Sequence, residues 1–214
     1  MNSKVVIIDY QLGNLFSVKQ ACQYLGYEAM ITSNPDDLLA ADYAILPGVG
    51  AFNDSMKNLE SFGLVNAIYQ YVDSGKPFMG VCLGLQLLLT ESEEFGSTPG
   101  LNIIPGIVRK FPVDLDHEFK VPQIQWNQID EPTVEKWKNT ALQVCNPGDY
   151  MYFVHSFYAL PLSDEYVLAK TSYGQTTYCS SVQKANVFAT QFHPEKSGLH
   201  GIEIYKKWFD LNKK

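Results

Sequence analysis

The sequence predicts an α/β fold in which a mostly parallel central sheet is flanked by helices, with an added antiparallel β region in the second half. Two observations support this prediction. In the first half, short β-branched apolar runs alternate with helical patterns, which is typical of successive β-α-β units. Between residues 102 and 191, short strand-like runs separated by turn residues replace that alternation, which is typical of antiparallel hairpins.

The first half yields four strands and four helices. The predicted strands are Lys4–Ile8, Glu28–Ile31, Tyr43–Leu46 and Pro77–Val81, and the predicted helices are Leu15–Leu25, Asn53–Leu59, Leu64–Val72 and Leu83–Thr90. Gly26 is suited to end the first helix, because glycine readily adopts the left-handed conformation that follows a helix. The dipeptide Asn34-Pro35 is a turn signal between the second strand and the third.

The second half yields six strands and one amphipathic helix. The predicted strands are Ile103–Val108, Val121–Ile129, Met151–Phe157, Val167–Thr171, Tyr178–Val182 and Val187–Gln191, and the helix is Ile202–Leu211. We expect these strands to extend the main sheet or to form a small second one. No internal repeat and no long Gly/Ser linker interrupts the pattern, so we predict a single domain over residues 1–214.

Composition excludes several classes of protein. The chain is 46% hydrophobic and 18% charged, which argues against intrinsic disorder. Its formal net charge of −7 and the lack of a basic stripe argue against a nucleic-acid partner. The apolar runs are too short for a transmembrane helix, and the first residues lack the long apolar stretch of a signal peptide. We therefore expect a cytoplasmic protein without a membrane partner.

The four cysteines narrow the search for chemistry. Cys22, Cys82, Cys145 and Cys179 form no C-x-x-C pair, so we expect no metal site. Cys82 lies in Gly80-Val81-Cys82-Leu83-Gly84, between a predicted strand and a predicted helix. This is the context of a nucleophile elbow, in which glycines two residues away relieve crowding on a sharp turn. The first turn of the helix would stabilise a thiolate. The alternative is a buried cysteine between turn glycines.

A second motif supplies a base. His193 and Glu195 follow the last predicted strand in Gln191-Phe192-His193-Pro194-Glu195. In an extended segment, residues two apart face the same side, so Glu195 can orient the imidazole while His193 takes a proton from Cys82. The alternative for an isolated His-x-Glu is a surface strand end. A third motif, Pro47-Gly48-Val49-Gly50, follows a parallel strand and can turn backbone N–H groups towards an oxyanion.

Together, P-G-V-G, G-V-C-L-G-L-Q and Q-F-H-P-E resemble the triad-type (class I) glutamine amidotransferases, in order and spacing, across the whole chain. Further segments narrow the resemblance to the glutaminase subunits of imidazole glycerol phosphate synthases. These are D-Y-x-x-G-N-L from Asp9, L-P-G-V-G-A-F from Leu46, Y-F-V-H-S-F from Tyr152 and H-P-E-K-S-G from His193.

The resemblance implies a site and a reaction without a cofactor. Cys82 would attack the side-chain amide carbon of glutamine, and His193, oriented by Glu195, would move the protons. The backbone at Val49, Gly50 and Leu83 would stabilise the oxyanion, Gln86 would face the amino-acid head of glutamine, and the backbone of Val154, His155, Ser156 and Phe157 would hold its α-amino and α-carboxyl groups. For the His155 side chain itself we expect a structural role.

The resemblance also implies a partner. In these enzymes the glutaminase docks on a cyclase subunit with a (βα)₈ barrel, forming a heterodimer in which ammonia passes between the two sites. The residues on the partner-facing side would be Asn14, Trp126, Asn127, Tyr152 and Lys196. Ammonia released into water is mostly protonated and no longer a nucleophile, which is the physical reason for a sealed passage.

One segment departs from the family pattern. The family usually has Pro-His-x-Gly-Trp-Asn where this chain has Pro122-Gln123-Ile124-Gln125-Trp126-Asn127. Because we expect this segment to face the partner, the change leaves open a different ammonia acceptor, a sugar amidotransferase of a surface-polysaccharide pathway. Two alternatives of other kinds also remain: a non-catalytic regulatory module on the same fold, and another elbow hydrolase acting on γ-glutamyl peptides.

Overall fold

The computed structural model describes residues 3–112 and 119–213, and it confirms the predicted α/β fold class. The strands are β1 (Val5–Ile8), β2 (Ala29–Thr32), β3 (Tyr43–Gly48), β4 (Phe78–Cys82), β5 (Glu91–Ser92), β6 (Thr98–Pro99), β7 (Gly106–Lys110), β8 (Gln123–Ile129), β9 (Asp149–His155), β10 (Phe157–Pro161), β11 (Val167–Tyr173), β12 (Thr176–Lys184) and β13 (Val187–Thr190). The α-helices are α1 (Leu15–Tyr24), α2 (Pro35–Leu39), α3 (Phe52–Ser61), α4 (Leu64–Asp73), α5 (Leu83–Leu87) and α6 (Gly198–Leu211).

The main sheet combines a parallel half with an antiparallel half. In the described residues its strand order is β2-β1-β3-β4-β13-β12-β10-β7-β5-β6, and β11 pairs with β12. Strands β2, β1, β3, β4 and β13 run parallel to one another, whereas β12 pairs antiparallel with β13. The sequence predicted β13 among the antiparallel hairpins, but β13 lies beside β4 and completes the parallel half of the sheet.

A small second sheet forms from β8 and β9, which pair antiparallel over seven residues. The sequence predicted one strand from Met151 to Phe157, but the structure divides it at Ser156 into β9 and β10, and β10 belongs to the main sheet. The prediction was wrong here because the residues on the two sides of Ser156 pair in different sheets. The break matters for function, because it exposes backbone of residues 154–157 beside the end of β4.

Two helix predictions differ from the structure. Helix α5 ends at Leu87 instead of Thr90, because the next residues turn into β5. Asn34-Pro35 does not mark a simple turn, since it begins α2. The Asn34 side chain accepts a hydrogen bond from the Asp36 N–H at 3.0 Å, and proline takes the first helical position, where its missing N–H costs nothing.

Hydrophobic cores lie on both faces of the main sheet. One packs α1 and α6 against alternate residues of β1 and β4, including Val5, Ile7 and Met79. The other packs α3, α4 and α5 against the opposite residues, including Val6 and Ile8. Burial on both faces explains why β1, β3 and β4 read as continuous apolar runs. None of the helices in the described ranges has both the length and the apolar character needed to cross a bilayer.

The parallel half brings the candidate motifs to one edge. Gly48 at the end of β3 pairs with Cys82 at the end of β4, and Thr190 at the end of β13 pairs with Val81. The carboxyl ends of these three neighbouring strands therefore carry the glycine-rich loop, the elbow and the His-x-Glu motif. Such an edge is where ligands bind in open α/β sheets.

The elbow depends on a close backbone approach at Gly84. A Cβ atom added there would collide with the backbone carbonyl oxygen of Leu46, which cannot move without disrupting β3. We expect Gly84→Ala to lower the free energy of unfolding by about 1–3 kcal/mol, because overpacking against a fixed backbone forces strain. Chemical denaturation measures this change.

The matched control is Gly13→Ala, whose added methyl group meets the flexible Leu15 side chain at 3.2 Å and makes an ordinary contact with the Pro47 ring at 3.7 Å. We expect this variant to unfold close to the wild type. Equal stability of the Gly84 and Gly13 variants would contradict the assignment of a tight elbow.

Candidate active site

The candidate nucleophile occupies a strained turn. Cys82 has φ of 57° and ψ of −110°, between β4 and the first residue of α5, and its side chain is 5% exposed. A non-glycine residue with positive φ is uncommon, and such strain clusters at functional sites. Gly80 and Gly84 meet closely beneath the turn: a Cβ at Gly80 would lie 2.9 Å from the Gly84 carbonyl oxygen. The structure therefore has the elbow geometry that the glycine spacing predicts.

The histidine and the glutamate form a buried pair. Nδ1 of His193 lies 2.7 Å from Oε1 of Glu195, with the two side chains 2% and 1% exposed. The predicted extended segment is wrong after His193, because residues 194–196 form a single 3₁₀ turn. Proline begins this turn, and the turn itself brings the carboxylate back to the ring. A 3₁₀ turn, and not the extended segment that the sequence predicted, therefore brings Glu195 to His193.

Backbone contacts fix the position of His193. Its N–H donates to the Tyr152 carbonyl at 3.0 Å, and its own carbonyl accepts from the Ser197 hydroxyl at 2.7 Å. The Ser197 oxygen also accepts from the Tyr152 N–H at 3.0 Å. His193 is thus attached to β9 of the small sheet through Tyr152, both directly and through the Ser197 hydroxyl.

The charges of the site favour a protonated imidazole. Burial alone lowers the pKa of His193, but its interaction with the Cys82 sulfur and its hydrogen bond with Glu195 outweigh burial and raise that pKa above the usual value. Nε2 of His193 is buried and makes no hydrogen bond within the described part of the chain. Its ring is therefore free to exchange a proton with the sulfur or with a substrate atom.

The sulfur of Cys82 has two polar neighbours. It lies 3.8 Å from the Val154 carbonyl oxygen and 3.7 Å from Nε2 of Gln191. Oε1 of Gln191 in turn accepts from Nε2 of Gln86 at 3.0 Å, and the same Gln86 nitrogen donates to the Phe157 carbonyl at 2.8 Å. No role was predicted for Gln191, which directly follows β13 and lies two residues before His193.

A cavity of about 270 Å³ opens in front of the sulfur. Every residue predicted to bind glutamine or its oxyanion lines it: Val49, Gly50, Leu83, Gln86, Val154, His155, Ser156 and Phe157. Cys82, Pro122 and Glu94 line it too. Glu94 was not predicted, because it lies in the run Glu91-Ser92-Glu93-Glu94, which has the composition of an exposed loop. Its Oε2 accepts from the Phe52 N–H at the start of α3, at 2.7 Å.

His155 has a structural role, as expected for its side chain. Nδ1 lies 2.8 Å from the Phe157 carbonyl oxygen, and Nε2 lies 3.2 Å from the Tyr178 hydroxyl. Burial lowers the pKa of His155 to about 4, so the ring is neutral at physiological pH. Because Gln86 and His155 both bond to the Phe157 carbonyl, they hold the backbone at the break between β9 and β10.

The segment that departs from the family pattern does not face outward along its whole length. Gln123 is fully buried, and its Oε1 accepts from the Tyr178 hydroxyl at 3.0 Å. Gln123 therefore continues the polar chain that begins at His155, and the expectation that it faces a partner was wrong. In a strand, side chains alternate between faces, so one continuous segment contributes to the interior and to the surface. Gln125 is exposed.

The residues predicted to contact a partner fall into two groups. Trp126 and Tyr152 are paired across β8 and β9 with their rings 6.2 Å apart, and Nζ of Lys196 lies 5.9 Å from the centre of the Tyr152 ring. Asn127 is half-buried, and its side chain donates to the Ser172 carbonyl at 2.8 Å. Asn14 precedes α1, and its side chain makes no capping bond.

The described residues contain no group of three or more His, Cys, Asp or Glu side chains able to hold a metal ion. Cys22, Cys145 and Cys179 are buried, and burial raises the pKa of each thiol to about 12. These three therefore stay neutral. Cys82 differs from them in its position, because it interacts with the His193 imidazole.

Comparison with known proteins gives the family and the fold. A family model described as "Glutamine amidotransferase class-I" matches residues 6–211. Solved structures of a glutamine amidotransferase and of PurLQS from Thermotoga maritima share the fold, each with a TM-score of 0.72 at 18% and 17% identity. The alignments cover 97% of this chain and 98% of the first structure, and 100% of both chains for the second. The chain belongs to the class-I glutamine amidotransferase family.

Within that family, the relatives share one name, "Imidazole glycerol phosphate synthase subunit HisH". The Syntrophotalea carbinolica subunit is 48% identical over 97% of this chain and 100% of its own length. The Geobacter sulfurreducens subunit is 43% identical over 98% and 99%, and the Aquifex aeolicus subunit is 42% identical over 96% and 95%.

The coupling of Cys82 and His193 can be tested by removing the sulfur. We expect the pKa of His193 to fall in Cys82→Ala, because burial then acts with less opposition. NMR titration of the imidazole nitrogens measures this shift. The matched control is Cys145→Ala, which removes another buried thiol and is expected to leave the titration unchanged. An unaltered His193 titration in Cys82→Ala would show that the two groups do not interact.

Proposed function

We propose that this chain is the glutaminase subunit of an imidazole glycerol phosphate synthase. It hydrolyses glutamine to glutamate and ammonia, and the ammonia passes to a cyclase subunit, which forms imidazole glycerol phosphate and AICAR in histidine biosynthesis. The observation that carries the proposal is the position of Cys82. Its sulfur lies on a strained elbow, beside the His193–Glu195 pair, at the wall of a cavity of suitable size for an amino acid. The names of the similar proteins supply the pathway.

The reaction follows from these groups. The Cys82 thiolate attacks the side-chain amide carbon, and the carbonyl electrons move to oxygen. The N–H of Leu83 and the backbone at Val49–Gly50 stabilise this oxyanion, as donors do that are positioned before the reaction. The protonated His193 gives its proton to the amide nitrogen, and the C–N bond breaks. Ammonia departs, and the γ-glutamyl group stays on Cys82 as a thioester.

Hydrolysis completes the cycle. His193, now neutral, removes a proton from water, and the resulting hydroxide attacks the thioester carbon. The C–S bond breaks, glutamate leaves, and the thiolate and the imidazolium are restored. Glu195 holds the ring in one tautomer throughout, because its Oε1 bonds to Nδ1.

The cavity has complementary groups for the amino-acid head of glutamine. Glu94 is the carboxylate among the described lining residues, and it can pair with the α-ammonium group. The backbone at residues 154–157 and the Gln86 amide offer hydrogen-bond donors and acceptors for the other polar atoms of the amino-acid head. Because His155 is neutral, it adds no charge that would repel the ammonium group.

We propose a docking face made of Ile124, Trp126, Tyr152 and Lys196. Ile124 is 59% exposed and Trp126 is 49% exposed. Aromatic side chains such as Trp126 and Tyr152 are enriched at protein interfaces. We propose that the partner is a cyclase with a (βα)₈ barrel, that the two subunits form a heterodimer with lyase activity, and that Asn14 and Asn127 lie at the edge of the contact.

Two further parts of the proposal concern the chain as a whole. We propose that residues 1–214 form a single glutamine amidotransferase domain, supported by the family match over residues 6–211. We also propose that the complex works in the cytoplasm, supported by the biosynthetic role that the relatives' name describes.

Glutamate release tests the chemistry directly. We expect Cys82→Ala to lose glutaminase activity by a factor of about 1,000 or more, because removing the nucleophile of a triad leaves only the contribution of the oxyanion hole and binding. Cys179→Ala is the control, since it removes a buried thiol distant from the cavity. Activity retained in Cys82→Ala would favour a different nucleophile. A wild-type chain inactive with and without the cyclase would favour a regulatory module.

Partner binding tests the docking face. We expect Trp126→Ala to weaken binding of the cyclase subunit by about 30-fold or more, because aromatic anchors at the centre of an interface carry much of the binding energy. Calorimetric titration with purified cyclase measures the affinity. Tyr24→Ala is the control, because Tyr24 is 71% exposed and lies outside the docking face. If the wild type binds a sugar amidotransferase and does not bind the cyclase, the histidine-pathway assignment fails while the glutaminase chemistry stands.

A further inference from the structure

The triad glutamate has an oxygen that the reaction leaves unexplained. Oε1 of Glu195 bonds to His193, but Oε2 is buried and makes no hydrogen bond within the described residues. An unpartnered oxygen of a buried carboxylate is costly, because the charge has lost its water and gained no donor. A donor for Oε2 therefore has to come from the elements packed against the 3₁₀ turn at residues 194–196.

Helix α6 lies directly against that turn. A Cβ added at Gly201 would collide with the Pro194 carbonyl oxygen, so the helix backbone touches the turn at this residue. Tyr205 is four residues later and lies on the same face of the helix. Helical side chains lean towards the N-terminus, so the Tyr205 ring extends back over the turn of α6 that contacts Pro194 and Glu195.

The Tyr205 hydroxyl also lacks a partner. Tyr205 is fully buried, and its Oη makes no hydrogen bond within the described residues. Burial raises the pKa of Tyr205 well above its usual value, with smaller contributions from Glu195 and from Cys22 of α1. Because burial also raises the pKa of Cys22 to about 12, Cys22 is a neutral thiol. Of the two titratable groups that interact with Tyr205, Glu195 has the larger effect.

A cavity of about 310 Å³ borders the same turn, lined by Glu195 and by the polar side chains of Ser17 and Gln20. The Glu195 carboxylate and the Tyr205 hydroxyl are themselves buried, and they are not hydrogen-bonded to each other. One internal water molecule between the two oxygens would give each of them a partner.

We propose that Tyr205 is a positioning residue for the triad glutamate. Its hydroxyl donates to one bound water, which in turn donates to Oε2 of Glu195, while Oε1 bonds to His193. This inference rests on the proposed function, because it assigns Tyr205 to the support of the same Cys82–His193–Glu195 triad. The hydroxyl stabilises the carboxylate as an anion and keeps its plane aligned with the imidazole, as partners behind a histidine–carboxylate pair do.

The test is Tyr205→Phe, which keeps the ring and removes only the hydroxyl. We expect kcat for glutamine hydrolysis in the complex with the cyclase to fall about 10-fold, the size of a lost hydrogen bond to a charged group. KM for glutamine is expected to stay constant, because Tyr205 is not among the residues that line the substrate cavity. The acidic limb of the pH profile of kcat is expected to move to higher pH, because a carboxylate without its donor takes up a proton more readily.

The matched control is Tyr27→Phe, which removes another tyrosine hydroxyl that is buried and has no hydrogen-bond partner in the described residues. Tyr27 stacks on Phe209 at 3.8 Å, away from the triad, so we expect the wild-type pH profile. The chemical shift of the His193 Nδ1 proton gives a second readout. It reports the bond to Glu195 and is expected to change in Tyr205→Phe but not in Tyr27→Phe.

Two reference variants separate this inference from the proposed function. If Cys82→Ala and Glu195→Gln lose activity while Tyr205→Phe matches the wild type in kcat, pH profile and Nδ1 shift, Tyr205 has no positioning role and the triad stands. If Cys82→Ala remains active, the triad itself fails. An equal change in Tyr205→Phe and Tyr27→Phe would mean that any buried hydroxyl has the same effect, and would also overturn the inference.

Discussion

The site depends on the approach of the elbow to the end of β3. Gly84 lies so close to the Leu46 carbonyl that no side chain fits between them, and this contact sets where α5 begins. Helix α5 begins directly after the last residue of β4, and Cys82 takes the strained conformation that this sharp change of direction requires. Leu83 and the loop after Gly48 line the same cavity.

The two buried histidines near the sulfur have different pKa values because they have different neighbours. Burial disfavours the charged form of both rings. His193 overcomes it because a sulfur and a carboxylate lie beside it, whereas His155 bonds to a carbonyl and a tyrosine and stays neutral. Cys82 therefore has a protonatable ring beside it, whereas the histidine ring that lines the cavity is neutral. This difference could not be assigned from the sequence alone, because both histidines follow similar apolar residues.

The sequence predicted those features that depend on local pattern. The alternating strands and helices of the first half, the glycines around Cys82 and the spacing of His193 and Glu195 each have a short-range signature. Features that depend on distant contacts were missed. The break at Ser156 depends on the residues before and after it joining different sheets. The burial of Gln123 depends on its hydrogen bond from the Tyr178 hydroxyl. Glu94 has no signature in an acidic loop, and Tyr205 is distinguished from other core aromatics only by its position over the 3₁₀ turn.

The position of Tyr152 has a consequence for how two active sites can communicate. Its ring lies 6.4 Å from the His193 ring on one side and 6.2 Å from the Trp126 ring on the other, and its backbone bonds to His193. A molecule seated on Trp126 is therefore separated from the proton-carrying imidazole by the thickness of a single residue. No relay through the protein core is needed for occupancy of the outer surface to alter turnover.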